Sequence, residues 1–303
     1  MSADFDLIVV GEGFAGLTCA GEAARLDLKV ATFEAAFFGG LVLNVNELRN
    51  FDEANGFSGM DHAALLAKSN AKAGVKSMQA AVYAIRRAGD VFEVDTDAGT
   101  RTARAAVIAS GARLKKLGVP GEEDFDGRGL SHCADCDGPL FGDAEVVVAG
   151  SNDWAIHEAT VLAAYASKVY LVLEGLQLAA SAEAIGHVNT EPKIALVTRA
   201  TITEILGNDR GVTGVRVRTG DGGTREIACA GVFPFIGLEP NSELAPRHVA
   251  RDANGYLRVD ESLQTSVPKL WAIGNVRAGF GGWLRDAVAD ARRAARAVKA
   301  SIA

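Results

Sequence analysis

The sequence predicts an α/β fold of two Rossmann-like domains, each of the three-layer ββα type, with the second inserted into the first. An apolar run at 7–10 leads into a glycine-rich segment at 11–16, and a helical pattern follows. The next strand ends at the acid Glu34. The same order of strand, glycine turn, helix, strand and acid returns at 145–174. A dinucleotide-binding fold begins in this order, so its recurrence predicts two such domains.

Two turn-rich linkers divide the chain, one at 118–121 and one near 237–241. The tail beyond the second linker contains a strand at 270–273 and a helix from about Trp283. The first domain is short of strands without that tail, so we expect the chain to return to it. The predicted domains are residues 1–117 with 243–303, and the inserted residues 121–240.

The composition excludes several classes of protein. The 303 residues include 31 basic and 38 acidic side chains, and this net charge of −7 lacks the basic footprint of a nucleic-acid-binding protein. There is no apolar run of about 18 residues, so no membrane span is expected. The acidic start at 1–6 is unlike a signal peptide and predicts a cytoplasmic, reducing location. Two of the four cysteines, Cys19 and Cys229, lie in apolar runs and are predicted to be buried and inert.

The glycine pattern at 11–16 is the first functional motif. Gly11, Gly13 and Gly16 permit a tight turn and the close approach of a pyrophosphate to the N-terminus of the next helix. Glu34 is placed to accept a hydrogen bond from an adenosine ribose hydroxyl. The alternative is an ordinary strand–helix turn followed by a surface acid. The strand before the motif, together with the helix and acid after it, favours dinucleotide binding.

The second motif is a pair of cysteines, Cys133 and Cys136, with two residues between them. This spacing lets the two sulfur atoms bond, and such thiols have lowered pKa values, so it predicts redox chemistry. The alternative is half of a zinc site, for which His132 and His157 are the nearest further ligands. We favour the prediction that the two cysteines are a redox-active pair, and we expect no metal site. Asp137 is a candidate general acid and base for the thiols, or alternatively a helix-capping residue.

These motifs and several other ordered segments resemble the low-molecular-weight thioredoxin reductases from end to end. The further matching segments are 39–40, 50–51, 109–112, 118–121, 133–138, 235–241, 265–268 and 272–274. The resemblance implies a homodimer that binds FAD with the first and last segments. It also implies a thioredoxin-like protein, or a small disulfide, as partner. In this family pattern Cys136 faces the flavin, Cys133 attacks the substrate disulfide and Asp137 supplies the proton.

The same resemblance assigns a set of residues to the FAD site. They are Gly11, Gly13, Phe14, Ala15, Gly16, Glu34, Gly40, Asn50, Gly111, Gly274, Asn275 and Trp283. Asn275 stands where the family has an aspartate on the flavin ribityl chain, and an amide can still hydrogen-bond a hydroxyl. Trp283 is a candidate to stack on the flavin ring, or alternatively packs at the start of a helix.

The sequence departs from the family pattern in the second domain. Asn152 replaces the middle glycine of the second dinucleotide loop, and Trp154 adds bulk beside it. Glu174 stands where the family has arginines that bind the NADPH 2′-phosphate, and no arginine occurs between Arg128 and Arg199. An acid repels a phosphate at close range, so we expect NADPH to bind poorly.

These departures point to branches of the family that do not use pyridine nucleotides, with a ferredoxin or a second FAD as electron source. A basic stretch at 276–303, with six basic and two acidic side chains, would attract an acidic donor such as ferredoxin. The alternative for that stretch is a solvated helix. Three other functions stay open: a divergent NAD(P)H-dependent reductase, a dithiol oxidase that uses oxygen, and a flavin-binding regulatory protein without turnover.

Overall fold

The structure is a computed structural model that describes residues 3–46, 48, 51 and 56–302. The chain divides into two compact units. The first is Met1–Arg113 with Glu239–Ala303, and the second is Leu114–Leu238. Within the described residues, no helix combines the length and apolar character that a bilayer crossing needs.

The first unit contains a seven-stranded sheet with the order β3-β2-β1-β6-β5-β4, and β16 also pairs with β6. The strands β1, β2, β3, β6 and β16 run parallel, whereas β4 and β5 continue the sheet in antiparallel fashion. The strands are β1 (Phe5–Val10), β2 (Val30–Glu34), β3 (Lys76–Gln79), β4 (Val82–Ala88), β5 (Val91–Thr96), β6 (Gly99–Ile108) and β16 (Leu270–Ala272).

Helices cover one face of this sheet. They are α1 (Phe14–Arg25) and α6 (Leu284–Ile302), while α2 (Gly59–Lys72) packs against α1. Small residues of α1 and α6, including Ala20 and Ala295, pack with Val9 and Val107 of the central strands. The other face is equally apolar: Ile8 and Val10, for example, belong to a second buried cluster. Burial on both faces explains why residues 7–10 of β1 form a continuous apolar run and do not alternate.

The second unit has three layers. A parallel sheet of order β10-β9-β8-β14 lies between helices and an antiparallel sheet of order β11-β12-β13. Its strands are β8 (Glu145–Ala149), β9 (Lys168–Val172), β10 (Ile194–Val197), β11 (Ala200–Asn208), β12 (Gly211–Thr219), β13 (Thr224–Ala228) and β14 (Gly231–Pro234). Its helices are α3 (Ala134–Asp137), α4 (Asp153–Ala163) and α5 (Ala182–Thr190). Two short strands, β7 (Ala112–Leu114) and β15 (Leu238–Pro240), pair with each other.

The helix predicted from about Trp283 begins at Leu284, one residue later. Ser58 caps α2 at its first residue, Gly59. Boundaries shift most easily because caps, and not the periodic apolar pattern, decide where a helix ends.

Candidate functional site

The turn between β1 and α1 is shaped by its glycines. Gly11 has φ +103°, and a Cβ there would overlap the carbonyl oxygen of Ala109. A Cβ at Gly16 would overlap the carbonyl of Gly11. At Gly13, by contrast, an added Cβ would meet only the Gly39 carbonyl oxygen among the described residues, at 3.9 Å. Gly11 and Gly16 therefore allow the tight turn, and Gly13 leaves space in front of the helix.

The N-terminus of α1 is open to an anion. Gly13 is its N-cap, and no described side chain accepts a hydrogen bond from its first turn. Free N–H groups and the helix dipole together attract a phosphate. Ala15 lies in this first turn, and Phe14 is buried against Phe51 and His62, with ring centroids 5.8 and 5.4 Å away. The loop therefore has the space and the donors that a pyrophosphate needs.

Glu34 lies at the end of β2 beside this loop. Its Oε2 accepts from the N–H of Glu12 at 3.1 Å, and its Oε1 accepts from the N–H of Ala36 at 3.2 Å. Glu12 is buried and accepts from the Thr32 hydroxyl. Two backbone donors thus fix the Glu34 carboxylate while it retains unused acceptor capacity for a ribose hydroxyl.

Three further residues were predicted for the FAD site: Gly40, Gly111 and Asn50. A Cβ added to Gly40, at φ +60°, would lie 3.4 Å from the Cα of Gly13, so these two segments are in contact. Gly111, at φ +67°, follows β6, and an added Cβ would meet no described atom within 4 Å. Asn50 lies outside the described residues.

The turn at Gly274 and Asn275 lies against the same helix terminus. A Cβ built on Gly274 would lie 3.0 Å from the Cβ of Ala15, so the turn contacts the first turn of α1. Asn275 is half-buried in a 3₁₀ turn. Trp283 precedes α6 with 62% of its surface exposed, and the Arg285 guanidinium lies 5.2 Å from its ring centroid. The residues of the first unit therefore fit a dinucleotide such as FAD, with its pyrophosphate at α1.

A buried ion pair holds the Gly274 turn in place, and the sequence reasoning missed it. Asp290 on α6 accepts from Arg277 through both oxygens, at 2.7 and 2.8 Å, and from the Gly274 N–H at 3.0 Å. Its side chain and that of Arg277 are 6% and 13% exposed. Arg277 belongs to the basic stretch 276–303 that was predicted to attract an acidic donor, but this ion pair buries it, so it is not part of an exposed basic surface. The exposed basic side chains of α6 are Arg285, Arg292, Arg293 and Arg296.

In the second unit Cys133 and Cys136 form a disulfide, with their Cα atoms 5.3 Å apart. Cys133 is the N-cap of α3, and its Sγ lies 3.1 Å from the N–H of Cys136. Cys136 is exposed and Cys133 half-buried, so solvent and partners can reach the pair. A backbone donor on a cysteine sulfur stabilises its thiolate, which is the reactive form.

Asp137 is held beside the pair by a residue that the sequence did not single out. The buried hydroxyl of Ser131 donates to Asp137 Oδ2 at 2.6 Å and accepts from the Cys133 N–H at 3.2 Å. Ser131 therefore links the candidate acid to the backbone of the first cysteine. The available signal was a polar residue two positions before Cys133, which is too common a pattern to be informative.

The N-terminus of α4 is closed, unlike that of α1. The Asn152 side chain accepts from the N–H of Ala155 at 2.9 Å, and its amide lies 3.4 Å from the carbonyl oxygen of Phe235. Trp154 packs on Phe235, with ring centroids 5.2 Å apart. Glu174, after β9, is exposed. The side chain of Asn152 thus occupies a donor that a second pyrophosphate would use.

The remaining cysteines are not placed for catalysis. Cys19 and Cys229 are buried, as predicted, and burial raises the pKa of each thiol to about 12. His132 Nε2 lies 3.7 Å from Asp126 Oδ1. Among the described residues, no group of three or more His, Cys, Asp or Glu side chains is arranged to hold a metal ion.

Two Rossmann-like units, an open glycine loop and a solvent-accessible Cys-x-x-Cys disulfide define a flavin-dependent disulfide oxidoreductase. The chain belongs to the pyridine nucleotide-disulphide oxidoreductase family, whose model matches residues 5–301. FAD is the cofactor expected for this family. The comparison confirms the predicted class of enzyme.

Relatives and solved structures agree with this family. The chain is 35% identical to the thioredoxin reductase of Treponema pallidum (strain Nichols) over 306 residues, which cover 100% of this chain and 98% of that protein. The structure of Lactococcus lactis thioredoxin reductase matches with a TM-score of 0.92 and 29% identity over 99% of both chains. An atypical thioredoxin reductase of Desulfovibrio vulgaris Hildenborough shares the fold, with a TM-score of 0.52 and 24% identity over 98% of this chain and 97% of that one. These matches confirm the predicted fold class.

Proposed function

We propose that this protein is an FAD-dependent thiol–disulfide oxidoreductase of thioredoxin reductase type that does not use NADPH as its electron donor. Electrons pass between the flavin and a thioredoxin-like protein, or a small disulfide, through Cys133 and Cys136. Residues 1–117 and 243–303 hold the FAD, and residues 121–240 carry the redox pair. A homodimer and a cytoplasmic location belong to the same proposal.

The FAD site is assigned to the glycine loop of the first unit. The N–H groups at Phe14, Ala15 and Gly16 would hold the pyrophosphate, and Glu34 would accept from the ribose. The remaining assignments are Gly11, Gly13, Gly40, Asn50, Gly111, Gly274, Asn275 and Trp283. When bound, FAD supplies two-electron chemistry that no side chain provides.

The redox steps are assigned to the cysteines and to Asp137. Cys136 is the sulfur on the flavin side and Cys133 the one that attacks the partner disulfide. Asp137 holds the proton that moves during thiol–disulfide exchange, since it lies beside the pair and its orientation is fixed by Ser131. The disulfide exchanges with a partner thiol through a mixed-disulfide intermediate.

The proposal that the enzyme does not use NADPH is supported mainly by the capped N-terminus of α4. Asn152 uses its own side chain to cap the helix, whereas the equivalent turn of α1 has a glycine and no described side-chain cap. Glu174 adds a negative charge where a 2′-phosphate would lie. A bound NADPH would therefore have to displace the cap and approach an acid, and both requirements weaken binding.

The electron source is proposed to be a ferredoxin-like protein, a dithiol or a second FAD. Exposed arginines on α6 support an acidic protein donor, because opposite charges raise the rate of encounter. A second FAD would use the second unit, with Glu174 accepting from its ribose. A flavin-to-protein ratio near two after purification would select the second FAD, and a ratio near one would exclude it.

The test of the redox assignment compares cysteine variants under anaerobic conditions. A dithiol should reduce the flavin of the wild-type protein, and Cys136→Ser should block that transfer. Cys133→Ser should leave a thiolate beside the flavin but abolish reduction of a thioredoxin disulfide. Cys229→Ala is the matched control, because it removes a buried thiol and should leave both rates unchanged. Full disulfide reductase activity in both redox variants would refute the assignment.

A further inference from the structure

A second carboxylate, that of Glu158 on α4, contacts the backbone of the turn that contains the redox pair. Its side chain is buried, with 8% of the residue exposed. Its Oε2 accepts from the N–H of Ala134 at 2.8 Å, and its Oε1 accepts from the indole N–H of Trp154 at 3.0 Å. Both oxygens accept from N–H donors, which is the arrangement of an ionised carboxylate.

The contact places this carboxylate on the backbone N–H that follows Cys133 in the chain. The N–H that Glu158 accepts belongs to the residue directly after Cys133, in the first turn of α3. An anion at this position opposes a thiolate on the same turn, because two like charges in a partly buried environment repel. Glu158 is therefore able to act on the redox pair without touching either sulfur.

Burial raises the pKa of Glu158 above its ordinary value of 4.5. The bonds to Ala134 and Trp154 oppose this rise, as does His157 on the same helix, whereas Asp135 on α3 reinforces it. A negative charge on the reduced pair would raise the pKa further. The carboxylate and the thiols therefore titrate as a coupled group.

We propose that Glu158 is a positioning residue that controls where the protons lie in the reduced Cys133–Cys136 pair. Its charge disfavours the thiolate, so that proton uptake accompanies reduction more completely than it would beside a neutral residue. Trp154 supports this role by donating to the carboxylate, which favours its ionised form. The proposal rests on the redox role assigned to the cysteines and holds for any electron donor.

The protons and electrons balance as follows when a dithiol is the reductant. The S–S bond of the pair breaks, two electrons enter it, and the dithiol becomes a disulfide and releases two protons. If both protons are taken up, the pair becomes two thiols and Glu158 stays ionised. If one thiol of the pair stays deprotonated, the second proton released by the dithiol either binds to Glu158 or goes to solvent.

The test uses Glu158→Gln in the FAD-loaded protein, because glutamine keeps the shape and removes the charge. After reduction by dithiothreitol, the rate of alkylation by iodoacetamide is measured against pH, which gives the pKa of the accessible thiol. Cys19 and Cys229 are buried and react slowly, so they do not obscure it. The position of the equilibrium with dithiothreitol is measured on the same samples.

We expect E158Q to lower the thiol pKa by about one unit, the scale of a nearby charge. The equilibrium should move toward the reduced pair by up to about tenfold at neutral pH, or about 30 mV. Trp154→Phe should shift the pKa in the same direction by less, because it removes only one donor from the carboxylate. The matched control is Glu183→Gln, an exposed carboxylate in the first turn of α5, which should change neither quantity.

An E158Q protein with the wild-type alkylation profile and equilibrium would overturn the proposal. If E158Q does not fold, the double variant W154F/E158Q removes the competing indole donor, and W154F alone keeps the carboxylate. A wild-type alkylation profile and equilibrium in either variant would likewise overturn the proposal. A pair that never reacts with dithiothreitol in the wild-type protein would instead refute the proposed function, so the two failures are distinguishable.

Discussion

At the scale of single residues, the reacting groups depend on side chains outside the Cys-x-x-Cys motif. Ser131 donates to Asp137 and accepts from the backbone of Cys133, so it orients the acid toward the pair. A hydrogen bond to a charged group is worth about 1.5–3 kcal/mol, so its loss is expected to have a measurable kinetic effect.

Ser131→Ala should slow thiol–disulfide turnover by roughly tenfold or more while FAD remains bound. The rate of reduction of a thioredoxin disulfide is the measurement. Asp137→Asn should slow the reaction at least as much, and the double variant should lose little more, since the two residues act as one unit. Ser131→Thr retains a hydroxyl and serves as the control. Additive losses in the double variant would show that Ser131 acts independently of Asp137.

The sequence predicted the cysteines and Asp137 because they are neighbours in the chain. It did not predict Ser131 or Glu158, because their roles depend on contacts that no local pattern reveals. Glu158 contacts Ala134, which is 24 residues away in the sequence. The motif at the start of its helix is typical of nucleotide binding and gives no sign of a contact with the cysteines. Spacing identifies chemistry within a turn, but tertiary packing decides which buried carboxylate reaches it.

At the scale of elements, two helices in equivalent places have different N-termini. The first turn of α1 has no described side-chain cap, whereas Asn152 caps α4. The sequence shows asparagine at position 152 in place of the family's glycine. It did not predict that the Asn152 side chain would accept a hydrogen bond from the Ala155 N–H. The Asn152 cap occupies one N–H donor of α4 that is free of a described side-chain cap in α1, which supports the proposal that the FAD pyrophosphate binds at α1.

Asn152→Ala should lower the free energy of unfolding by about 1 kcal/mol, and Asn152→Gly by only a few tenths. Both variants lose the hydrogen bond between the Asn152 side chain and the Ala155 N–H. Glycine costs less than alanine because it leaves that N–H more accessible to water. Urea denaturation measures the change. Ser181→Ala, at the N-cap of α5, is a matched control and should lose a similar amount. Equal stability of the wild type and N152A would show that this side chain leaves α4 open.

The Gly274 turn depends on the ion pair between Arg277 and Asp290. Arg277→Met should destabilise the protein by about 3–5 kcal/mol, because it leaves a buried carboxylate without its partner. Urea denaturation and the retention of FAD are the measurements. Arg296→Met, on the exposed face of α6, is the control and should change stability by less than about 0.5 kcal/mol. An R277M protein as stable as R296M would contradict the role of the pair.

At the scale of the whole molecule, the repeated strand–turn–helix pattern was enough to predict two Rossmann-like units. The parallel strands were predicted from their apolar runs, for example at 145–150. The antiparallel layer of the second unit, β11 to β13, was not predicted, although its strands form consecutive hairpins in which Asn208 lies opposite Gly211 and Arg218 opposite Thr224. Asn50 lies outside the described residues, so its assignment stays a prediction.

We propose that this flavin-dependent disulfide oxidoreductase has a redox-active cysteine pair but does not accept electrons from NADPH. The most direct test is anaerobic rapid mixing of the FAD-loaded protein with NADPH, NADH, reduced ferredoxin and a dithiol in parallel, with flavin absorbance as the signal. We predict that the dithiol or the ferredoxin bleaches the flavin and that the pyridine nucleotides do so slowly or not at all. Rapid bleaching by micromolar NADPH would contradict the account.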